Sequence, residues 1–275
     1  MSKRKRIAAL IVFGVVLAVL IVGIVLVPPA GEKEPVREMM KDAVLHENGK
    51  VDLFGWIRVN PAVVSAFVVT GIFLVFGLIV RIFMIPRFKR VPGKFQMLLE
   101  QAVGLFDGLA SGNSPAFHKF LGAYAFAAGA YIFIGTLFEL IGVQAVTVSG
   151  HSVALPAPLA DINGAIGMGV MSYGVILIGG LIHNGLKGVG SALKDFSLPI
   201  SMSFRLFGAL LSGALVTELV YYYSATQYVL PVVVGVMFTL LHALIQAYVL
   251  TMLTTVFYGE STERHPKKKK AEHSA

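Results

Sequence analysis

Six long runs of apolar residues dominate this chain of 275 residues. Each run is about as long as the ~20 residues that an α-helix needs to cross the hydrocarbon core of a membrane. The composition agrees, because 56% of the residues are hydrophobic and only 14% are charged, which is unusual for a soluble domain. We therefore predict an all-α integral membrane protein with six crossings, near residues 7–27, 63–85, 121–143, 163–182, 198–223 and 228–258.

The first run follows the basic stretch "KRKR" and leaves two interpretations open. A retained membrane helix is favoured, because the run is longer than the apolar core of a signal peptide and "VLVPPAGE" is a poor cleavage site. A signal peptide that is removed is the alternative. We divide the chain into residues 1–62, an N-terminal membrane helix with an extracytoplasmic segment, and residues 63–275, a membrane domain with a basic tail.

Lysine and arginine set the expected orientation, because they concentrate in cytoplasmic loops. They crowd the N-terminus and the stretches "PRFKRVPGK", "HNGLKGVGSALKD" and "RHPKKKK". If the helices alternate in direction, these stretches share one side, so both termini are predicted to be cytoplasmic. Apolar residues at helical spacing predict an amphipathic helix over residues 93–111 on the cytoplasmic face of the membrane. The basic flanks explain the net charge of +8, and nucleic-acid binding is not expected.

Arg205 lies inside the fifth run, where a permanent charge is costly. The cost ranges from ~2.5 kcal/mol on insertion scales to more than ~10 kcal/mol in simulations. Arg205 either extends its side chain to the interface or faces a partner. The last two runs predict a helical hairpin that turns at "SATQ", and equal counting from that turn puts Gln246 level with Arg205. The amide oxygen could then accept a hydrogen bond from the guanidinium.

The same count predicts further polar residues along the hairpin. It places His242 level with Ala209 and Thr239 level with Ser212. His242 and Gln246 are four residues apart and share a helix face. The hairpin is therefore predicted to carry a polar seam, with Arg205 near one end.

Three acidic residues are expected at the outer end of the bundle: Glu139, Asp161 and Glu218. Glu218 lies roughly 20 Å from Arg205 along a straight helix, so the two cannot form a direct ion pair. Each acid also has a structural interpretation, and "DIN" predicts a helix cap at Asp161. The functional alternative is an entry path for protons or cations, because acids inside membranes commonly serve ion transport.

Several segments resemble one known family, in the same order along the chain. They are "VPGKFQMLLEQAVG" at 91–104, "PLADINGAIGMGV" at 158–170, "LKGVG" at 186–190, "SLPISMSFRLFG" at 197–208 and "LIQAYVLTMLTTVFY" at 244–258. These segments are similar to those of subunit a of the F-type ATP synthases, the membrane stator through which ions reach the rotating c-ring. The resemblance covers most of the chain after the first run.

The resemblance implies that Arg205 is the family's essential arginine, facing the mid-membrane carboxylate of each c subunit, and that Gln246 is its matching glutamine. Ions, in the simplest case protons, would enter by one half-channel and leave by another after ring rotation, while Arg205 prevents direct leakage. Glu139 and Asp161 are implied to line the outer half-channel. The expected partners are the c-ring, the peripheral-stalk b subunits and other subunits of the complex, in a bacterial inner membrane. The tail "KKKK" fits anionic lipid, a stator partner or a plain topology anchor.

The chain departs from the family's pattern at Leu198, where Lys is usual, and at three positions that concern the relay residues. Ala209 stands where the family usually has Asn, Ala214 where Glu is common, and Thr239 where His or Glu is frequent. We hypothesise that Glu218 and His242, each about one turn away from such a position, take over the relay functions.

Other classes of function fit the sequence less well. A secondary transporter is the main alternative, but neither two similar halves nor paired broken helices are evident. A stand-alone channel lacks a ring of selectivity groups, and a structural scaffold would not need the polar seam. No P-loop signature is present, so the chain itself is not expected to be an enzyme, and no cofactor or metal site is predicted. The absence of cysteine excludes thiolate zinc sites and cysteine nucleophiles.

Overall fold

The computed structural model describes residues 51–53, 57–146, 152–222 and 230–262, together with a few single positions before residue 39. The α-helices of these ranges are α1 (Pro61–Ile79), α2 (Lys94–Asn113), α3 (His118–Ile141), α4 (Ile162–Asn184), α5 (Leu186–Lys194), α6 (Ser197–Tyr222), α7 (Leu230–Gly235) and α8 (Leu241–Thr262). The short strands are β1 (Val51–Leu53), β2 (Ile57–Val59), β3 (Gln144–Val146) and β4 (Ser152–Ala154). The crossing predicted at residues 7–27, the turn "SATQ" and the basic tail lie outside the described residues.

Five helical segments within the described ranges are long and apolar enough to cross a membrane. They run over Pro61–Arg87, His118–Ile141, Ile162–Asn184, Ser197–Thr217 and Leu230–Thr262. They coincide with five of the predicted crossings, so the helical membrane fold is confirmed for this part of the chain. Large apolar side chains such as Phe67 and Leu74 of α1 are exposed, as expected for a surface that contacts lipid.

Two of these segments contain π-helical turns. The first continues from α1 through a π-helical turn at Val80–Met84 and a 3₁₀ turn at Ile85–Arg87. The last has a π-helical turn at Val236–Leu240 between α7 and α8. Such turns are rare within α-helices and frequent at functional sites. The sequence predicts regular helices here, because one extra residue in a turn leaves the hydropathy of the run unchanged.

The amphipathic helix predicted over residues 93–111 is present as α2, which packs against α3. Ala110 is buried in this contact, whereas Leu98 and Leu105 are exposed. Asp107 of α2 lies 3.0 Å from Nδ1 of His118 at the start of α3, which links the two helices beside their short connection. The contact of α2 with a membrane surface stays a prediction.

Three segments outside the predicted crossings contain regular structure. The stretch "HNGLKGVGSALKD" includes α5, and Gly185, with a φ of 60°, makes the sharp turn from α4 that glycine favours. In addition, β1 pairs with β2 and β3 pairs with β4 as antiparallel ribbons. Hydropathy does not reveal these pairings, because backbone hydrogen bonds between short strands leave no trace in the apolar pattern.

Helix α4 is the shared neighbour of the two C-terminal helical segments. α8 packs on α3 and α4, and α6 packs on α4, whereas α6 and α8 have only sparse contact. One buried cluster contains Leu206 of α6 and Leu250 of α8, and a second contains Leu121 of α3 and Tyr258 of α8. The two arms of the predicted C-terminal hairpin are therefore in contact where α6 meets α7 and are packed less closely where α6 meets α8.

Buried hydroxyl groups on α8 obtain their hydrogen bonds within the helix. Thr251, Thr254 and Thr262 each donate to the carbonyl oxygen four residues earlier, at 2.7, 2.8 and 2.8 Å. Asn113 of α2 donates from Nδ2 to Oγ1 of Thr255 at 3.0 Å, which joins α2 to α8. These bonds allow polar side chains to be buried between membrane helices, where an unpaired polar group is costly.

Replacing Gly188 by alanine tests the packing of α5 on α4. An added Cβ would meet the backbone of Gly180, so we expect a loss of stability of about 1–3 kcal/mol, the usual cost of overpacking. Gly190→Ala on the same helix is the matched control, because nothing lies within 4 Å of a Cβ added there. The melting temperature of the purified protein in detergent should fall for Gly188→Ala alone. Equal melting temperatures for the two variants would contradict this packing.

Candidate functional site

Arg205 lies on the outward face of α6. Met202, Leu206 and Leu210 are buried and form the inward stripe of this helix. Successive helical residues are about 100° apart, so Arg205 points away from that stripe, and its side chain is exposed. Its Cα lies about two turns, or ~12 Å, after Ser197 at the start of the helix. Among the described residues, the guanidinium has no hydrogen bond or ion pair.

The outward face of α6 around Arg205 carries several small residues. Ser201, Gly208 and Ser212 are exposed on it, beside the larger Phe204. Small residues on a membrane helix allow another helix to approach closely. This face therefore combines a permanent charge with a surface on which further helices could pack.

Gln246 does not form the hydrogen bond that the sequence predicts with Arg205. It is 7% exposed and lies on the buried stripe of α8 with Ala243 and Leu250, whereas Arg205 points out of the bundle. Equal counting from the turn compares the heights of two residues but not their directions around the helix axes. α6 packs mainly on α4, whereas α8 packs on α3 and α4, and no hydrogen bond joins the two side chains.

Glu139, Ala209 and His242 line one small pocket between α3, α6 and the π-helical turn before α8. Thr136 and Thr239 contribute to the same pocket, whose volume of about 10 Å³ is close to the minimum that holds one water molecule. The predicted alignment of His242 with Ala209 is confirmed. The structure also places Glu139 in the same pocket as His242, a proximity that the sequence does not predict.

His242 is oriented by the π-helical turn that precedes it. Its Nδ1 lies 2.8 Å from the carbonyl oxygen of Phe238, and its ring stacks on the Phe238 ring with centroids 5.7 Å apart. A carbonyl oxygen only accepts, so Nδ1 is the donor and Nε2 of the neutral ring is the acceptor. Nε2 has no hydrogen bond to the described residues.

The pocket and Arg205 are close along α6. Ala209 follows Arg205 by one helical turn, so the two residues lie on the same side of the helix, about 6 Å apart along its axis. Glu218 lies farther along α6, which extends to Tyr222. The Glu218 side chain lies outside the described part of the chain, so its relay role stays a hypothesis.

Asp161 caps α4, as "DIN" predicts. Its Oδ1 accepts hydrogen bonds from the backbone N–H groups of Asn163 at 2.8 Å and Gly164 at 3.4 Å. Its Oδ2 accepts a hydrogen bond from Nδ2 of Asn60 at 2.7 Å. Asn60 in turn caps α1, because its Oδ1 accepts from the N–H of Ala62 at 3.0 Å. One carboxylate thus joins the starts of two membrane helices.

Asn60 and Thr136 are polar neighbours of the candidate site that the sequence analysis does not identify. The role of Asn60 could be predicted from the sequence, because an asparagine followed by Pro61 at the start of an apolar run is typical of a helix N-terminus. No sequence pattern indicates the position of Thr136. Its hydroxyl donates to the carbonyl oxygen of Ile132 within α3, and only the packing of α3 places it beside the pocket.

The fold and the site define a helical membrane protein with an outward-facing arginine in one span and a polar pocket between its helices. The sequence matches the family described as ATP synthase A chain over residues 63–259. This match covers most of the chain, and the chain belongs to that family. Its role is therefore in the F-type ATP synthase, as a membrane subunit of the complex.

Curated relatives agree with this assignment. ATP synthase subunit a of Histophilus somni (strain 2336) is 28% identical over 204 residues, which cover 61% of this chain and 76% of the relative. The subunit of Haemophilus ducreyi is 26% identical over 226 residues, which cover 67% of this chain and 85% of the relative. The subunit of Actinobacillus pleuropneumoniae serotype 3 (strain JL03) is 27% identical over 201 residues, covering 61% and 76%. The resemblance drawn from the sequence motifs is confirmed.

Substitutions at Asp161 test its role in joining α1 to α4. Asp161→Ala removes the cap and leaves Asn60 without its acceptor, so we expect a loss of stability of about 1–3 kcal/mol. Asp161→Asn keeps a capping oxygen, but its NH₂ group then faces the NH₂ group of Asn60, and two donors cannot form a hydrogen bond. An intermediate loss is therefore expected. Melting temperatures in detergent should fall in that order. If Asn60→Ala and Asp161→Ala proved fully additive, the hydrogen bond between them would be disproved.

Proposed function

We propose that this chain carries ions, in the simplest case protons, across the membrane where α6 meets the c-ring of the ATP synthase. One observation carries the proposal: Arg205 is exposed within a membrane-spanning helix and has no partner among the described residues. A guanidinium remains charged in a protein, and a charge within hydrocarbon requires a partner or water. The partner we assign is the carboxylate that each c subunit carries at mid-membrane.

The positive charge of Arg205 determines how this contact affects the carboxylate of the c subunit. An opposite charge nearby favours the ionised form of a carboxylate, so a c subunit that faces Arg205 releases its proton. A carboxylate that has taken up a proton is neutral and can turn away into the hydrocarbon. The fixed positive charge also repels a proton that would pass directly between the two half-channels. Exposed Ser201 and Gly208 support the close approach of a c-ring helix.

The pocket between α3, α6 and α8 supports an outer half-channel. Glu139 and His242 share its walls, and both can bind and release a proton. Gln246 follows His242 by one turn on α8, so it continues the polar line toward the height of Arg205. Glu218 farther along α6 and Asp161 at the start of α4 complete the proposed outer end, where Asp161 also holds α4 to α1.

In the complex, this ion path would couple ion flow to c-ring rotation and so to ATP synthesis or hydrolysis. The peripheral-stalk b subunits are the proposed stator partners. The proposed location is a bacterial inner membrane with both termini in the cytoplasm, which the basic stretches of the sequence support. Family membership favours this function over a secondary transporter.

Arg205→Ala should abolish ATP-driven proton pumping by inverted membrane vesicles, while the complex still assembles. The reason is that the c carboxylate loses its cationic partner and the barrier between the half-channels disappears. Arg81→Ala is the matched control, because Arg81 is also an exposed arginine in a membrane-spanning segment but lies far from α6 in sequence. Pumping is measured with a pH-sensitive dye, and assembly by copurification of the ATPase. Normal pumping by Arg205→Ala would disprove the proposal.

Glu139→Gln should slow proton pumping at least about tenfold, because a proton-exchanging group is removed from the proposed path. His242→Gln should have a similar effect, and the double variant should be little worse than either single variant, because both groups serve one path. Glu100→Gln on the exposed face of α2 is the control, with unchanged pumping expected. Full pumping by Glu139→Gln would remove that residue from the path without affecting the role of Arg205.

A further inference from the structure

A cavity lies at the end of the bundle opposite Glu139, where the start of α3 meets the ends of α4 and α8. Its walls include Phe117 and Lys119, Ile178 and His183, and Tyr258. The cavity has a volume of about 510 Å³, and a second lobe of about 520 Å³ beside it shares Phe117 and His183. Each volume is within the range of ~300–1,000 Å³ that is typical of ligand sites. The proposed ion path does not use this cavity.

The start of α3 gives one side of the cavity a positive potential. The cap residue Phe117 provides no side-chain hydrogen bond to the first turn, so the N–H groups of that turn are available to a ligand. The positive end of the helix dipole is at the same place. Lys119, in this first turn, is exposed and adds a full charge. Together these groups favour an anion, and phosphate in particular.

Tyr258 supplies an independent polar group on the opposite wall. Its side chain is only 2% exposed, and its hydroxyl makes no hydrogen bond to the described residues. No fully enclosed polar side-chain atom of the described residues lacks a partner, so this hydroxyl keeps some exposed surface, and Tyr258 lines the cavity. A ligand oxygen within the cavity would accept a hydrogen bond from this hydroxyl.

His183 adds a second polar group beside Tyr258. Its Nδ1 donates to the carbonyl oxygen of Gly179 at 2.8 Å, so Nε2 of the neutral ring is an acceptor, suited to a hydroxyl of the ligand head rather than to its phosphate. The ring centroids of Phe117 and Tyr258 lie 3.5 and 6.4 Å from that of the imidazole. The imidazole therefore has two aromatic neighbours at the cavity wall.

The rim of the cavity is apolar. Phe120, Ile178 and Ile182 are 62%, 59% and 71% exposed, and all three line the cavity. They belong to the membrane-spanning helices α3 and α4, so lipid chains are their natural surroundings. A soluble anion would leave these side chains uncovered. An amphiphile with an anionic head and apolar chains would satisfy both parts of the site.

We infer that this cavity binds one anionic phospholipid. The phosphate accepts hydrogen bonds from the first turn of α3 and from the Tyr258 hydroxyl and pairs with Lys119, while an acyl chain covers Ile178 and Ile182. The bound lipid joins α3, α4 and α8, and so stabilises the end of the bundle remote from the polar pocket. This site does not depend on the ion path through Arg205.

Native mass spectrometry of the purified full-length chain in a neutral detergent tests this inference. The chain is titrated with phosphatidylglycerol, with phosphatidylcholine as the zwitterionic comparison. We expect one phosphatidylglycerol to bind tightly, and Lys119→Gln and Tyr258→Phe each to weaken binding at least about fivefold. Lys187→Gln is the matched control, because Lys187 is an exposed lysine of α5 that does not line the cavity. Its binding should equal that of the unaltered chain.

Two competition arms separate a lipid site from a site for free phosphate. Inorganic phosphate and glycerol phosphate should displace phosphatidylglycerol only at concentrations far above that of the lipid. Displacement at equal concentration would overturn the lipid assignment. Equal binding of phosphatidylcholine, or unchanged binding by both cavity variants, would also overturn it. Lys119 is exposed, so Lys119→Gln keeps the test decisive even if Tyr258→Phe lowers the melting temperature.

Discussion

A guanidinium inside a membrane needs a partner, because hydrocarbon offers neither water nor hydrogen bonds. Several polar side chains on the described helices meet this requirement locally, as Thr254 does with a carbonyl oxygen of its own helix. Arg205 does not, because Leu206 and Leu210 occupy the inward positions and leave it on the outer face of α6. We propose that a further subunit of the ATP synthase meets this face, and membership of a family of ATP synthase subunits supports that proposal.

The packing around α4 determines how that face relates to the rest of the chain. α4 is the main neighbour of α6 and, after α3, of α8, so α6 and α8 can each present a different surface to their surroundings. The π-helical turn before α8 orients His242 into the pocket that also contains Glu139. The hydrogen bond between Asn60 and Asp161 fixes the start of α1 to the start of α4. The polar pocket is therefore held by several helices rather than by one hairpin.

Much of this organisation could be predicted from the sequence. Hydropathy located the five described membrane spans, and helical spacing located α2. The cap at Asp161 followed from its local sequence, because a cap involves only a few neighbouring residues. The helix α5, the β-ribbons and the π-helical turns were not predicted, since each depends on backbone hydrogen bonds that leave little trace in apolar periodicity. The hydrogen bond expected between Arg205 and Gln246 failed for a different reason: residue counting gives height but not direction.

The sequence by itself determined the membrane class of the chain, the described spans and the family, because apolar run length and ordered motifs are local properties of the chain. Only the tertiary structure decided which polar groups share a space. In that structure Glu139 and His242 line one pocket, and Arg205 lies on the outer face of α6. A cavity lined by Tyr258 lies beside the start of α3. These relations depend on how each helix is rotated about its axis, and that rotation is set by side-chain packing between segments far apart in the sequence.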